Sequence, residues 1–205
     1  MMKKSKRSDV DPFIVMDVME SARIAEEKGK DIIHMEVGQP GTPAPKIAKD
    51  YITNEINKNN LGYTVSLGLP ALRTKISKLY GDWYNLDLNP NRIVVTTGSS
   101  GAFILSFSAL FDSGDRVGIG SPSYPSYRQI LKSLSLETVD IQTKLQNRFQ
   151  PVPEDITNNN LNGILVASPA NPTGSMLDKQ SLENLINTAN ENNVSFISDE
   201  IYHGI

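Results

Sequence analysis

Apolar and polar positions alternate along this chain in two rhythms, and the balance between them shifts near residue 92. From Asp11 to Lys28, Phe13, Met16, Met19 and Ala22 fall at helical spacing. Pro12 suits a first turn there, and Gly29 is placed to end the helix. Ile32 to Val37 reads as a short strand, followed by a loop dense in glycine and proline from Gly38 to Pro45. Ile47, Ala48, Tyr51, Ile52 and Ile56 mark a second amphipathic helix. Pro70 opens a third, with Leu72, Ile76, Leu79, Tyr80 and Trp83 on one face. From Arg92 onward, short β-rich runs alternate with helices. The runs are Ile93–Thr97, Arg116–Gly120, Leu136–Ile141, Ile164–Ala167 and Val194–Ser198. The helices are Ala102–Phe111, a segment from Pro125 to about Leu134, and Lys179–Glu191, with a loop-rich stretch from Asn147 to Asn162. This alternation predicts an α/β fold, a three-layer α/β/α domain on a mostly parallel sheet.

Composition narrows the functions without naming one. A chain of 205 residues, 39% hydrophobic, can bury a sizeable core. The formal net charge of −3 points to neither nucleic acid nor an anionic membrane. The basic start, Lys3-Lys4-Ser5-Lys6-Arg7, has no apolar core after it and reads as a solvated tail. No run is long and apolar enough to span a bilayer, so a cytoplasmic protein is the expectation. There is no cysteine, hence no disulfide or thiolate chemistry. The two histidines, His34 and His203, are too few and too far apart for a His-based metal site, and no metal is expected.

In a parallel α/β sheet, ligands gather at the carboxyl ends of the strands. Four polar clusters follow strands directly, at 98–101, 121–125, 168–174 and 199–202. Gly98-Ser99-Ser100-Gly101 offers helix-start N–H groups and two hydroxyls, which suit a phosphate. An ordinary N-cap explains it equally well, and it is not a Walker loop. Tyr124, between Pro122 and Pro125, can stack on a flat ligand or simply pack on the sheet edge. Asp199 ends a strongly β run, where a sheltered carboxylate can hold a pyridine nitrogen protonated. Asn171 and Tyr202 can bond a phenolate oxygen on the same ring. Each of these residues alone has a bland explanation; four clusters on one sheet edge are harder to set aside.

These motifs resemble the fold type I pyridoxal-phosphate enzymes, the class I and II aminotransferases of the aspartate aminotransferase superfamily. The likeness runs from about residue 11 to the end. Val37-Gly38-Gln39-Pro40 resembles the loop that meets the substrate carboxylate, with Gly38 the matching position. Gly62-Tyr63-Thr64 and Gly68-Leu69-Pro70-Ala71-Leu72-Arg73 resemble the family's Tyr-Thr…Gly…Leu-Arg stretch. That likeness implies that Tyr63 reaches the cofactor phosphate of a neighbouring subunit, in a homodimer. Ser99 and Ser100 match phosphate contacts, Tyr124 the stacking ring, Asn171 and Tyr202 the partners of the cofactor's O3′, and Asp199 the partner of the ring nitrogen.

The resemblance implies a division into residues 1–45, an N-terminal arm with part of a small domain, and residues 46–205, a cofactor-binding large domain incomplete at its C-terminus. It implies amino transfer from an L-amino acid to a 2-oxo acid. A β-eliminating lyase or synthase of the same fold, or a non-catalytic sensor domain, is the alternative. The family's Schiff-base lysine and late substrate-binding arginine have no counterpart among these residues. Lys132 and Lys179 read as exposed helix positions, and Lys144 follows a strand into a loop. The expectation is therefore an N-terminal piece that does not transaminate alone.

Overall fold

A computed structural model describes residues 3–39 and 41–204. Pro40 of the Val37–Pro40 motif and Ile205 lie outside the described residues. Two compact units are present: Ile14–Thr96, and Met1–Phe13 together with Thr97–Ile205.

The second of these units carries four strands, β1 (Arg116–Ser121), β2 (Glu137–Gln142), β3 (Gly163–Ala167) and β4 (Ser195–Asp199). They form one sheet in the order β2-β1-β3-β4, with every neighbouring pair parallel. Its helices are α4 (Gly98–Leu110), α5 (Pro125–Ser133), the short α6 (Pro153–Thr157) and α7 (Lys179–Glu191). Two buried clusters divide the strand residues by alternation. Val117, Ile119 and Leu165 join Phe103, Phe107, Tyr127 and Leu131 of α4 and α5. Ile164 and Val166 join Ile156 of α6 and Leu185 and Ala189 of α7. Because successive strand side chains point to opposite faces, Leu165 on one side with Ile164 and Val166 on the other places helices on both faces of the sheet. This is the expected three-layer α/β/α arrangement. A Cβ at Gly163 would lie 2.2 Å from the ring of Phe111, so glycine is what lets that ring close over the start of β3. Among the described residues no helix is long and apolar enough to cross a membrane.

The other unit contains α1 (Ile14–Glu27), α2 (Lys46–Ile56) and α3 (Pro70–Tyr84). Two strands expected from the sequence do not form. Residues 32–37 are irregular, with Ile33 and Met35 exposed at 86% and 87%. Residues 93–96 form no strand, and Val95 N–H donates to the Leu67 carbonyl at 3.0 Å. The alternation and β-branching at both places favour extended backbone. A strand needs a ladder of paired residues as well, and neither segment forms one among the described residues. The 93–97 segment is anchored instead by the buried Arg73 of α3. Its Nε donates to the carbonyls of Pro90 (3.1 Å) and Ile93 (2.9 Å), and its Nη2 to Pro90 O (2.7 Å) and Asn91 Oδ1 (3.1 Å).

His34 links the end of α1 to the segment that follows. Nδ1 pairs with Glu36 at 2.7 Å and Nε2 with Glu26 at 2.9 Å. The hydrogen bond to Glu36, then that to Glu26, raises the imidazole to about 9. An unfolded histidine titrates near 6.5, so the protonated ring favours the folded unit. That contribution is complete below about pH 6.5 and is lost as pH rises through about 9. The ring is exposed, so the effect is small and sensitive to salt. Between about pH 6.5 and 9.5 the thermal midpoint of the wild-type protein is expected to fall more than that of His34→Gln. Equal slopes in scanning calorimetry would contradict the linkage.

Candidate active site

The chain runs from β1 through α5 to β2, then returns to lay β3 on the other side of β1. The order reverses between β1 and β3, and the helices leaving those two strands lie on opposite faces. The carboxyl ends there part into a crevice, the usual ligand position in such sheets. Ser123, Tyr127, Ala167 and Asn171 line a cavity at this point.

Asp199 is the last residue of β4, in register with Ala167 at the end of β3. It is a buried acid, 8% exposed. The Tyr127 hydroxyl donates to its Oδ2 at 2.5 Å, and the Ile201 N–H donates to its Oδ1 at 3.0 Å. Two donors fix the plane of the carboxylate and leave each oxygen with further acceptor capacity. Burial, and then the bond to Asp199, pushes the Tyr127 phenol well above its ordinary range. Tyr127 therefore keeps its proton and stays a donor.

Tyr124 and Tyr127 come from the start of α5, where Pro125 occupies the first turn. Their rings meet edge to face at 5.5 Å, and Phe13 packs edge-on against Tyr124 at 5.8 Å. Tyr127 also meets Phe103 of α4 at 5.2 Å. The aromatic group ties Tyr124 to the floor of the crevice and gives it a rigid setting.

Asn171 sits in a loop closed by its own bonds. Gly174 N–H donates to Ala170 O at 2.7 Å, and Ala170 N–H donates to Ser175 O at 2.9 Å. The buried Gln150 side chain donates to Ala167 O and Ser175 O, both at 3.1 Å. The Asn171 amide then donates to the Tyr202 hydroxyl at 3.3 Å. Asn171, Tyr202, Asp199 and Tyr127 are thus brought to one edge of the sheet.

Ser99 and Ser100 lie in the first turn of α4, which starts at Gly98 rather than at Ala102. The helix absorbs the glycine-serine run because nothing stops it earlier. Thr97 caps it without a side-chain hydrogen bond. The positive end of the helix dipole makes this terminus attractive to an anion. α4 runs back to the start of β1, so its N-terminus lies at the level of the strands' carboxyl ends. Ser99 is one turn before Phe103, on the face that meets Tyr127. Among the described residues no group of three or more His, Asp or Glu side chains is arranged to hold a metal ion.

Residues 30–205 match the family model for aminotransferase class I and II. The chain belongs to that family. It is 41% identical over 201 residues to a valine–pyruvate aminotransferase of Mycobacterium tuberculosis, covering 97% of this chain and 52% of the relative. It is 33% identical over 195 residues to an aspartate aminotransferase of Thermotoga maritima, covering 93% and 51%. A crystal structure of an aminotransferase from Mycobacterium tuberculosis superposes with a TM-score of 0.94 at 40% identity, over 100% of this chain and 54% of the other. The chain thus spans about half the length of the relatives it matches.

Within this aminotransferase chain, Gly38 and Tyr63 belong to the other compact unit. Both are open to solvent, Tyr63 fully so. Sequence reasoning missed Tyr127 and Gln150. Tyr127 falls at a core-facing position of α5, where an aromatic reads as packing. Its one signal was being three residues after Tyr124, one helical turn away. Gln150 stood in a polar stretch that offered no signal.

Proposed function

We propose that the whole protein is a pyridoxal-phosphate-dependent aminotransferase that moves an amino group from an L-amino acid to a 2-oxo acid. The observation that carries this reading is the buried Asp199 carboxylate at the end of β4, with the Asn171–Tyr202 pair on the same sheet edge. The residues fit the cofactor. A carboxylate held by two donors keeps acceptor capacity for a ring N–H⁺. The α4 N-terminus with Ser99 and Ser100 offers donors for a phosphate, and a Cβ at Gly98 would meet no atom within 4 Å, so the approach is open.

When bound, pyridoxal phosphate supplies an electron sink for charge developing at the substrate α-carbon. Asp199 holds a proton on the ring nitrogen and so keeps that sink electron-poor. Tyr124 packs against the ring face, and Asn171 and Tyr202 bond its phenolic oxygen. Gly38 meets the substrate carboxylate. Tyr63, wholly exposed, reaches the phosphate of a neighbouring subunit in a cytoplasmic homodimer.

The test is an assay of the full protein with L-valine, L-alanine or L-aspartate as donor and a second oxo acid as acceptor. Formation of the donor's oxo acid, dependent on added pyridoxal phosphate, is expected. Release of ammonia with no new amino acid would contradict amino transfer.

A further inference from the structure

The acid at the end of β4 does not stand alone; it shares a buried hydrogen bond with a residue of α5. We propose that Tyr127 is a positioning residue that keeps the shared proton of the Asp199–ring pair on the ring nitrogen. This rests on the proposed cofactor site and deepens it.

The evidence is geometric. The Tyr127 hydroxyl lies 2.5 Å from Asp199 Oδ2 across 72 residues of sequence, in a buried setting. The phenol is 2% exposed and is clamped by the rings of Phe103 and Tyr124. Its proton has a fixed acceptor. When a proton is shared between a pyridine nitrogen and a carboxylate, every further donor to the carboxylate favours its charged form. Tyr127 and the Ile201 N–H are two such donors. Of these, only the tyrosine comes from a side chain, so only it can be removed without disturbing the turn after β4. Without the hydroxyl, the buried carboxyl gains by becoming neutral, and the proton moves from the ring to Asp199.

Tyr127→Phe keeps the ring contacts and deletes the donor. The readout is the nitrogen NMR signal of pyridoxal phosphate labelled with ¹⁵N in its ring, bound to the full protein. In the wild type the nitrogen is expected at its protonated position. In Tyr127→Phe the proton's partition is expected to move toward Asp199 by roughly tenfold or more, the size of one charge-assisted hydrogen bond. A merely structural tyrosine would lower the thermal midpoint and leave the nitrogen signal in place, and that result would overturn the proposal. Failure of the wild type to bind the labelled cofactor would instead overturn the reading of the site. If Tyr127→Phe does not fold, the wild-type Tyr127 hydroxyl proton decides. A slowly exchanging, downfield resonance supports the bond, and exchange as fast as that of an exposed phenol overturns it.

Discussion

Replacing Asp199 with asparagine is expected to lower kcat of the full aminotransferase on the order of 100- to 1000-fold, the cost of deleting one preorganised electrostatic contact in an active site. The substitution keeps the size of the side chain. An asparagine oxygen still accepts from Tyr127 or from the Ile201 N–H, so the end of β4 keeps its shape. What is lost is the negative charge that, in the proposed site, holds the ring nitrogen protonated. The thermal midpoint without cofactor should change little, and the loss should appear in turnover. Asp199→Ala is the harsher variant, because it leaves the buried Tyr127 hydroxyl without an acceptor. An unsatisfied buried polar group costs about 1–3 kcal/mol, so this variant loses stability as well. Wild-type kcat in Asp199→Asn would show that the acid is a structural cap on the turn.

Phe107→Ala should give the largest loss of stability in the molecule, about 3–5 kcal/mol. Phe107 is 0% exposed and lies at the centre of the cluster between α4, α5 and the sheet. Its ring stacks on Phe103 at 5.7 Å and meets Phe111 at 6.2 Å. Truncation leaves a cavity whose walls are helix and strand, which collapse poorly. The damage should also reach the site, because Phe103 is the residue that backs Tyr127. Urea denaturation of the wild type and the variant checks the value. A loss under about 1 kcal/mol would mean that the cluster repacks freely.

The centre of the sheet was legible because β1 and β3 are buried on both faces. Ile164, Leu165 and Val166 form a continuous apolar run, which is how a parallel strand reads when helices cover both sides. Residues 32–37 and 93–97 show the limit of that reading. Ile33, Met35, Val94 and Val95 carry strand-like side chains, yet β-propensity describes a fit to a pleated surface and says nothing about whether a neighbour is there. Asn171 and Asp199 were legible from their places directly after or at the end of strands. Tyr127 was hidden by its own packing. A tyrosine on the core face of an amphipathic helix buries a ring in any fold, and only the spatial neighbour of its hydroxyl sets it apart. Gln150 was hidden for the opposite reason, since it is a buried polar residue inside a stretch that reads as loop.

A crystal structure of the full protein with pyridoxal phosphate bound tests the central claim most directly. The account predicts the ring nitrogen within hydrogen-bonding distance of the Asp199 carboxylate, the phosphate at Ser99 and Ser100, and the phenolic oxygen at Asn171 and Tyr202. Cofactor seated elsewhere, with Asp199 and Tyr127 still paired and untouched, would contradict it.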